Sequence, residues 1–285
     1  MTDIEIRPVS AAEFDTAIEW AAAEGWNPGL DDLAVFHAAD PNGFLMGFAG
    51  DEPISSISVV RYGAGFGFLG FYIVTPDSRS TGAGMAIWNQ GMAHLAGRTV
   101  GLDGVVDQQD NYHKSGFQYA GRNIRHTGVP AMGGVKFSMD VRDVEATDLA
   151  SLQTYDHILF PAERKHFTET WVLPQMGERR RANIALKDGY VAGYGVIRAC
   201  RAGHKIGPLF ADDEQTATML MRALSATVGH EEEVSLDTPE ENKAAVALAE
   251  AIGLKPVFET ARMYRGEAPI LPPERIFGIM TFELG

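Results

Sequence analysis

The chain is poor in cysteine, with Cys200 alone among 285 residues. A single thiol excludes an internal disulfide and any cysteine-rich metal cage. Basic residues are also scarce, 24 Lys and Arg against 38 Asp and Glu, for a formal charge of −14. Acidity of that size argues against nucleic acid and anionic membranes as partners, because like charge repels them before contact. No apolar run approaches the roughly 18 residues of a membrane span. The start, Met1-Thr2-Asp3-Ile4-Glu5, has neither the basic region nor the apolar core of a signal peptide. The expectation is a soluble, cytoplasmic protein. Apolar residues are plentiful at 45%, enough for a packed core, and at roughly 100–200 residues per domain the length suggests two domains.

The chain also repeats itself at long period. Asp51-Glu52-Pro53-Ile54-Ser55-Ser56-Ile57-Ser58-Val59-Val60-Arg61 lies on Asp188-Gly189-Tyr190-Val191-Ala192-Gly193-Tyr194-Gly195-Val196-Ile197-Arg198 at an offset of 137. The same offset places Gly70 on Gly207 and Gly116 on Gly253. Val100-Gly101-Leu102-Asp103 recurs as Val234-Ser235-Leu236-Asp237, at 134. Several matches in one order at nearly one offset indicate two halves of one architecture, joined between Gly128 and Asp140, where Gly133-Gly134 loosens the chain.

In the first half, Ser10 and Glu13 have capping-box spacing ahead of an apolar face of Phe14, Ala17, Ile18, Ala21 and Ala22. Gly25 ends that helix and Trp26-Asn27-Pro28-Gly29 is a turn. Strands are expected near residues 43–49, 54–62 and 67–74, then a helix near 84–96 with Met85, Trp88, Met92 and Leu95 on one face, then a strand at Leu102-Asp103. Strand, helix, strand is a βαβ unit and implies a parallel pair inside a mixed sheet.

The turn inside that unit reads Val74-Thr75-Pro76-Asp77-Ser78-Arg79-Ser80-Thr81-Gly82-Ala83-Gly84. Glycines two apart bare the backbone N–H groups, the helix start adds the positive end of its dipole, and Arg79 adds a charge, a set that suits a pyrophosphate. It is not a Walker A loop, since no Gly-Lys-Ser/Thr follows, nor the dinucleotide fingerprint, since Ile87 holds the third glycine's place. With 31 glycines in the chain a bare Gly-x-Gly by itself better fits an ordinary turn, and its place between strand and helix of a parallel unit reverses that balance in favour of the phosphate. After the next strand comes Tyr112-His113-Lys114-Ser115-Gly116-Phe117.

Val-x-Pro-x-x-Arg-x-x-Gly-x-Gly followed by Tyr-x-x-x-Gly-Phe resembles the acetyl-CoA site of the GNAT superfamily of N-acetyltransferases. With the doubling and the ending Ala261-Arg262-Met263-Tyr264-Arg265-Gly266, the whole chain resembles the tandem-GNAT proteins. The resemblance implies an α/β (α+β) fold of two GNAT-like domains, residues 1–136 and 137–285, each a mixed, mainly antiparallel sheet with a parallel βαβ unit and flanking helices. It implies acetyl-CoA as cosubstrate, its pyrophosphate held by Arg79, Thr81, Gly82, Ala83 and Gly84, and its pantetheine arm beside main-chain groups of Tyr72 and Val74. An acceptor amine would attack the thioester directly, with Tyr112 protonating the departing thiolate. Two positions depart from the family pattern: Val105 stands where Asn is common, and Ser80 where glycine is usual.

Carried through the loop, the offset sets Thr216, Met219 and Met221 opposite Arg79, Gly82 and Gly84, and Ala249 opposite the tyrosine. The second half is therefore expected to be a degenerate, non-catalytic domain shaping the acceptor side of the first. Asp103 is a candidate general base, weighed against a structural role shared with Asp237. Trp26 either lines the acceptor pocket or anchors its turn. Glu24, Asp31, Asp32 and Asp107 would suit an amine, or simply face solvent. His113 and His126 lack metal-ligand spacing, so no metal is expected. The favoured reading is an acetyltransferase of the acyltransferase class acting on a small primary amine, as monomer or homodimer. The alternative is a CoA or acyl-CoA sensor without turnover.

Overall fold

The computed structural model describes residues 4–131 and 139–285. The first half runs β1 (Ile4–Pro8), α1 (Ala11–Ala23), α2 (Asp32–Ala39), β2 (Phe44–Ala49), β3 (Glu52–Tyr62), β4 (Phe66–Val74), α3 (Ala83–His94), β5 (Thr99–Val105), α4 (Gln109–Lys114) and β6 (Gln118–Gly128). The second runs β7 (Asp140–Asp143), α5 (Leu149–Leu159), α6 (Lys165–Val172), β8 (Arg180–Lys187), β9 (Tyr190–Ala199), β10 (His204–Ala211), α7 (Glu214–Ser225), β11 (Val234–Pro239), α8 (Lys243–Ala251), β12 (Lys255–Arg265) and a short β13 (Ile276–Gly278). The expected junction at residue 136 and Gly133-Gly134 lie outside the described residues.

The strands form one sheet in the order β1-β2-β3-β4-β5-β12-β6-β11-β10-β9-β8-β7, with β13 on β10. Among the described residues only β4–β5 and β10–β11 pair in parallel, one pair in each half. The order is the same read from either end, except that the halves exchange their last long strands. β12 enters beside β5, and β6 lies beside β11. The crossing is fastened by two equivalent buried ion pairs. Arg262 stands directly opposite Asp103 and grips both carboxylate oxygens at 2.8 and 2.6 Å, while Arg125 grips Asp237 at 2.7 and 2.8 Å. The Leu-Asp motif recurs because each half needs an anion for the other half's arginine.

The elements follow the sequence closely. Ser10 and Glu13 form the capping box, and Phe14, Ala17, Ile18 and Ala21 are buried. α3 departs from expectation at Met85, which is 61% exposed; its inward residues are Ala83, Ile87, Trp88 and Gly91. Gly91 explains the rotation, since a Cβ there would press on Val59 and Ile57 at 3.0 and 3.2 Å, so the helix lies almost on β3. α1, α2, α5 and α6 share one core with the chain's last residues on one face of the sheet. α3 packs on the other face of the first half, and α7 with α8 on that of the second.

Candidate active site

β4 and β5 pair from Phe66–Thr99 to Leu69–Leu102 and then part. The cause is a bulge in β4, where the register against β3 shifts between Ser56 and Ser58. Phe71 holds a left-handed backbone (φ 46°), and its carbonyl accepts from Ser56 Oγ at 2.8 Å. A bulky residue in that region is strained, and the packed Phe14 and Phe36 rings hold it there. β5 meanwhile continues on β12 as far as Val105. A wedge-shaped gap thus opens between residues 70–74 and 103–105, facing α3 on one side and the shared core on the other.

At the far end of β4 the chain turns through a single 3-10 turn, Pro76–Ser78, into α3. Ser80 (φ 64°) and Gly82 (φ 97°) are both left-handed, so the usual glycine replaced by Ser80 belongs to a backbone that the serine still adopts. No side chain caps α3, and its first internal backbone bond is Ala86 N–H to the Gly82 carbonyl at 3.0 Å. The N–H groups at its first turn are therefore open to an anion. A Cβ at Gly82 would meet nothing within 4 Å. Gly84 is different: a Cβ there would lie 2.8 Å from the Tyr72 hydroxyl and 3.2 Å from Val74 Cγ2, so its smallness makes room for the protein's own side chains. Thr81 Oγ1 donates to the Ser78 carbonyl at 2.7 Å, which fixes the loop. Arg79 reaches back, Nε to the Val74 carbonyl at 3.1 Å and Nη2 to Glu24 at 2.9 Å. It braces the loop against α1, and it engages the main-chain oxygen of Val74 that the sequence reading set aside for a ligand.

Tyr112, from α4, is buried with its ring stacked on Trp88 at 5.9 Å, and Gly104 of β5 leaves it the space. Trp88 in turn meets Tyr72 edge-on at 5.2 Å. The two tyrosines and the tryptophan thus form a wall between the open turn of α3 and β5. Burial pushes the Tyr112 phenol up to about 12, helped by the neighbouring Tyr72, which burial also raises. The Tyr112 hydroxyl has no hydrogen-bond partner among the described residues. Asp103 is occupied: Oδ1 accepts from Asn123 Nδ2 and Arg262 Nε, both at 2.8 Å, and Oδ2 from Arg262 Nη2. Burial pushes its carboxyl up, against the pull of Arg262. Trp26 is half-buried against the shared core, and its carbonyl accepts from Arg125 and from Lys205, each at 3.0 Å. Of the other acidic candidates, Asp31 pairs with Arg179 and Asp32 with Arg198, Glu24 holds Arg79, and Asp107 is exposed.

The second half closes each of these openings with its own chain. Eight residues separate β4 from α3, but only Asp212 and Asp213 separate β10 from α7. The phosphate-type loop has been shortened away rather than substituted, which corrects the register carried through it by the repeat. Met219 and Met221 lie in mid-helix facing the core, and Thr216 sits in the first turn. There the Asp213 carboxylate accepts from the Thr216 N–H at 2.7 Å, so an internal anion takes the place at the helix start. β13 enters the gap between β10 and β11, pairing with β10, while the Ile279 N–H donates to the Asp237 carbonyl at 2.9 Å. Asn242 pins it by donating to the carbonyls of Pro273 and Ile276.

With the gap, the uncapped helix and the doubled sheet in view, comparison with known proteins decides the family. The chain is 30% identical to a holothin acyltransferase from Pseudoalteromonas sp. (strain SANK 73390) over 279 residues, 98% of this chain and 94% of that one. Residues 152–278 match the family described as an acetyltransferase (GNAT) domain. The chain belongs to the GNAT acetyltransferases. It superposes with a TM-score of 0.81 on a Pyrococcus horikoshii protein assigned as an acetyltransferase, at 20% identity over 100% of this chain and 97% of that one. A tandem GNAT protein from the clavulanic acid biosynthesis pathway matches at a TM-score of 0.63 and 16% identity, over 94% and 100% of the two chains. The GNAT match falls on the half without the open loop, so that half keeps the fold while its gap and helix start are filled. The expected mixed, mainly antiparallel sheet with parallel pairs is present, and the enzyme is an acyltransferase of this family. Among the described residues no cluster of His, Cys, Asp or Glu could hold a metal ion, and no helix is long and apolar enough to cross a membrane.

The chain's last residues carry no motif or periodicity in the sequence. Gly70 and Gly207, noticed only as marks of the repeat, are the signal that could have found them. A Cβ at Gly70 would overlap the Glu283 carbonyl, and one at Gly207 the Met280 carbonyl.

Proposed function

We propose that this GNAT enzyme transfers an acetyl group from acetyl-CoA to a small primary amine, in the first half only. The supporting observation is the asymmetry of the two parallel units. One has an open strand gap and an uncapped helix start; in the other β13 and Asp213 fill both places. N–H groups of Gly82, Ala83 and Gly84 would hold the pyrophosphate, with Thr81 fixing the turn and Arg79 near enough to shift from Glu24 to a phosphate. Main-chain groups of Tyr72 and Val74 would flank the pantetheine arm, and a bulge N–H would stabilise the developing oxyanion. The cosubstrate supplies the activated thioester. The acceptor nitrogen attacks it directly, and Tyr112 gives its proton to the departing sulfur. The Tyr112 position suits this, because its hydroxyl has no partner among the described residues beside the gap. Asp103 has no free oxygen, and its role in this reading is to hold the exchanged strands. Trp26 belongs to the wall of the acceptor side.

An acceptor must be neutral to attack, so its ammonium must first lose a proton and activity should rise with pH on the acid side of the profile. The reading is tested by release of CoA thiol from acetyl-CoA with a panel of primary amines. Thiol release dependent on amine supports it. Binding of acetyl-CoA with no release under any amine supports the sensor instead.

A further inference from the structure

Residues 279–285 cross from the second half to the first on the face away from α3, and they are buried throughout. Met280 lies against Gly207, the first residue of β10 beyond its pairing with β11, and Glu283 against Gly70, the first residue of β4 beyond its pairing with β5. The segment is held by its own backbone and by neighbours: Leu284 N–H to Thr281 Oγ1 at 2.9 Å, Tyr62 hydroxyl to the Leu284 carbonyl at 3.2 Å, and the Phe282 ring beneath Arg125 at 4.7 Å. Nothing comparable holds the Glu283 side chain. The residue is 6% exposed, yet its carboxylate has neither a hydrogen bond nor an ion pair with any described residue. Neither of its oxygens is sealed from solvent, so both stay open to water or to a ligand that donates to them.

The surrounding charges leave that carboxylate available. Arg125, Arg198 and Lys205, on β6, β9 and β10, all sense its charge. Arg125 is neutralised by Asp237 of β11, and Arg198 by Asp32 of α2. Lys205 donates to the Trp26 carbonyl and balances Glu283 without touching it. Cys200 completes the set, its thiol pushed up by burial and hence uncharged.

We infer that Glu283 is the acceptor-binding carboxylate of the first-half site, receiving the amine as its ammonium where β4 leaves β5 and taking its proton before attack. The inference rests on the acetyl-transfer reading above. The ammonium gives one proton to Glu283, which passes it to solvent. The freed lone pair forms the C–N bond at the thioester carbon, the C–S bond breaks, and sulfur takes the Tyr112 proton. The second proton leaves the acylated nitrogen and returns to the phenolate through solvent. The second half thus contributes a reacting group to the first.

The test compares wild type, Glu283→Gln and Glu283→Asp by steady-state transfer to a reactive primary amine from pH 6 to 11, with calorimetric titration of acetyl-CoA and thermal melts on the same samples. Glu283→Gln should melt and bind acetyl-CoA as wild type does, while kcat/KM for the amine falls about 10²-fold. Its pH profile should rise to the amine's own pKa, whereas wild type levels off earlier because it accepts the ammonium. Glu283→Asp should keep the early plateau at reduced rate. Unchanged kcat/KM and profile in a folded Glu283→Gln overturns the inference alone. A wild type that acetylates no primary amine overturns the acetyl-transfer reading, and this inference with it.

Discussion

Burial against Trp88 and Gly104 pushes the Tyr112 phenol up to about 12, so it keeps its proton across the range in which an alkylamine, of pKa about 10.4, becomes a free base. No alkaline fall in rate from loss of this acid is therefore expected below about pH 11. Tyr112→Phe should lower kcat about 10²-fold and leave the acetyl-CoA dissociation constant unchanged, since in the proposed mechanism the hydroxyl acts only as sulfur departs. Stopped-flow or steady-state thiol assays over about pH 7–11 check both statements. A second residue-scale prediction concerns Asp237. Burial would raise its carboxyl, but Arg125 outweighs that and holds it below the ordinary carboxylate range. Its stabilising contribution is thus full above the unfolded pKa of about 3.9 and is lost as pH falls through the lower folded value. Asp237→Ala strands the Arg125 guanidinium and should cost about 3–5 kcal/mol in denaturant unfolding at neutral pH.

At the scale of elements, the contrast between α3 and α7 predicts opposite responses to change at their starts. Gly82→Val forces a β-branched residue to φ 97°, so the loop should distort, acetyl-CoA binding should disappear, and stability should fall by about 1–3 kcal/mol through backbone strain alone. Gly84→Val should act differently, by displacing Tyr72 and Val74, with loss of stability as well as binding. Asp213→Ala removes the cap of α7, and its expected effect is about 1 kcal/mol of stability with no change in acetyl-CoA affinity. Much of this was legible in the sequence. Apolar spacing located α1, turn residues located the hairpins, and the Gly-x-Gly turn between strand and helix located the loop. Met85 was misplaced because helical spacing alone does not show that Gly91 brings α3 onto β3. The shortened second loop was hidden because a fixed repeat offset passes silently over a six-residue deletion. The role of the final residues was hidden because they have no periodicity of their own. Their course is written only in Gly70 and Gly207, on strands far away in sequence.

At the scale of the whole molecule, the exchange of β6 and β12 makes each half depend on the other. Separately expressed, neither segment 4–131 nor segment 139–285 has a partner for its central strand edge, and each exposes the shared core of α1, α2, α5 and α6. The two co-expressed segments should therefore copurify as a one-to-one complex, and each alone should aggregate. The same exchange explains how one half retains the open gap while the other donates β12 to its sheet and the final residues to its inner face. In the proposed reading only the first half holds the cosubstrate, and calorimetric titration of the intact chain with acetyl-CoA measures this. The expected result is one site per chain, abolished by Gly82→Val and untouched by Asp213→Ala; two equivalent sites, or one that survives Gly82→Val, would contradict it.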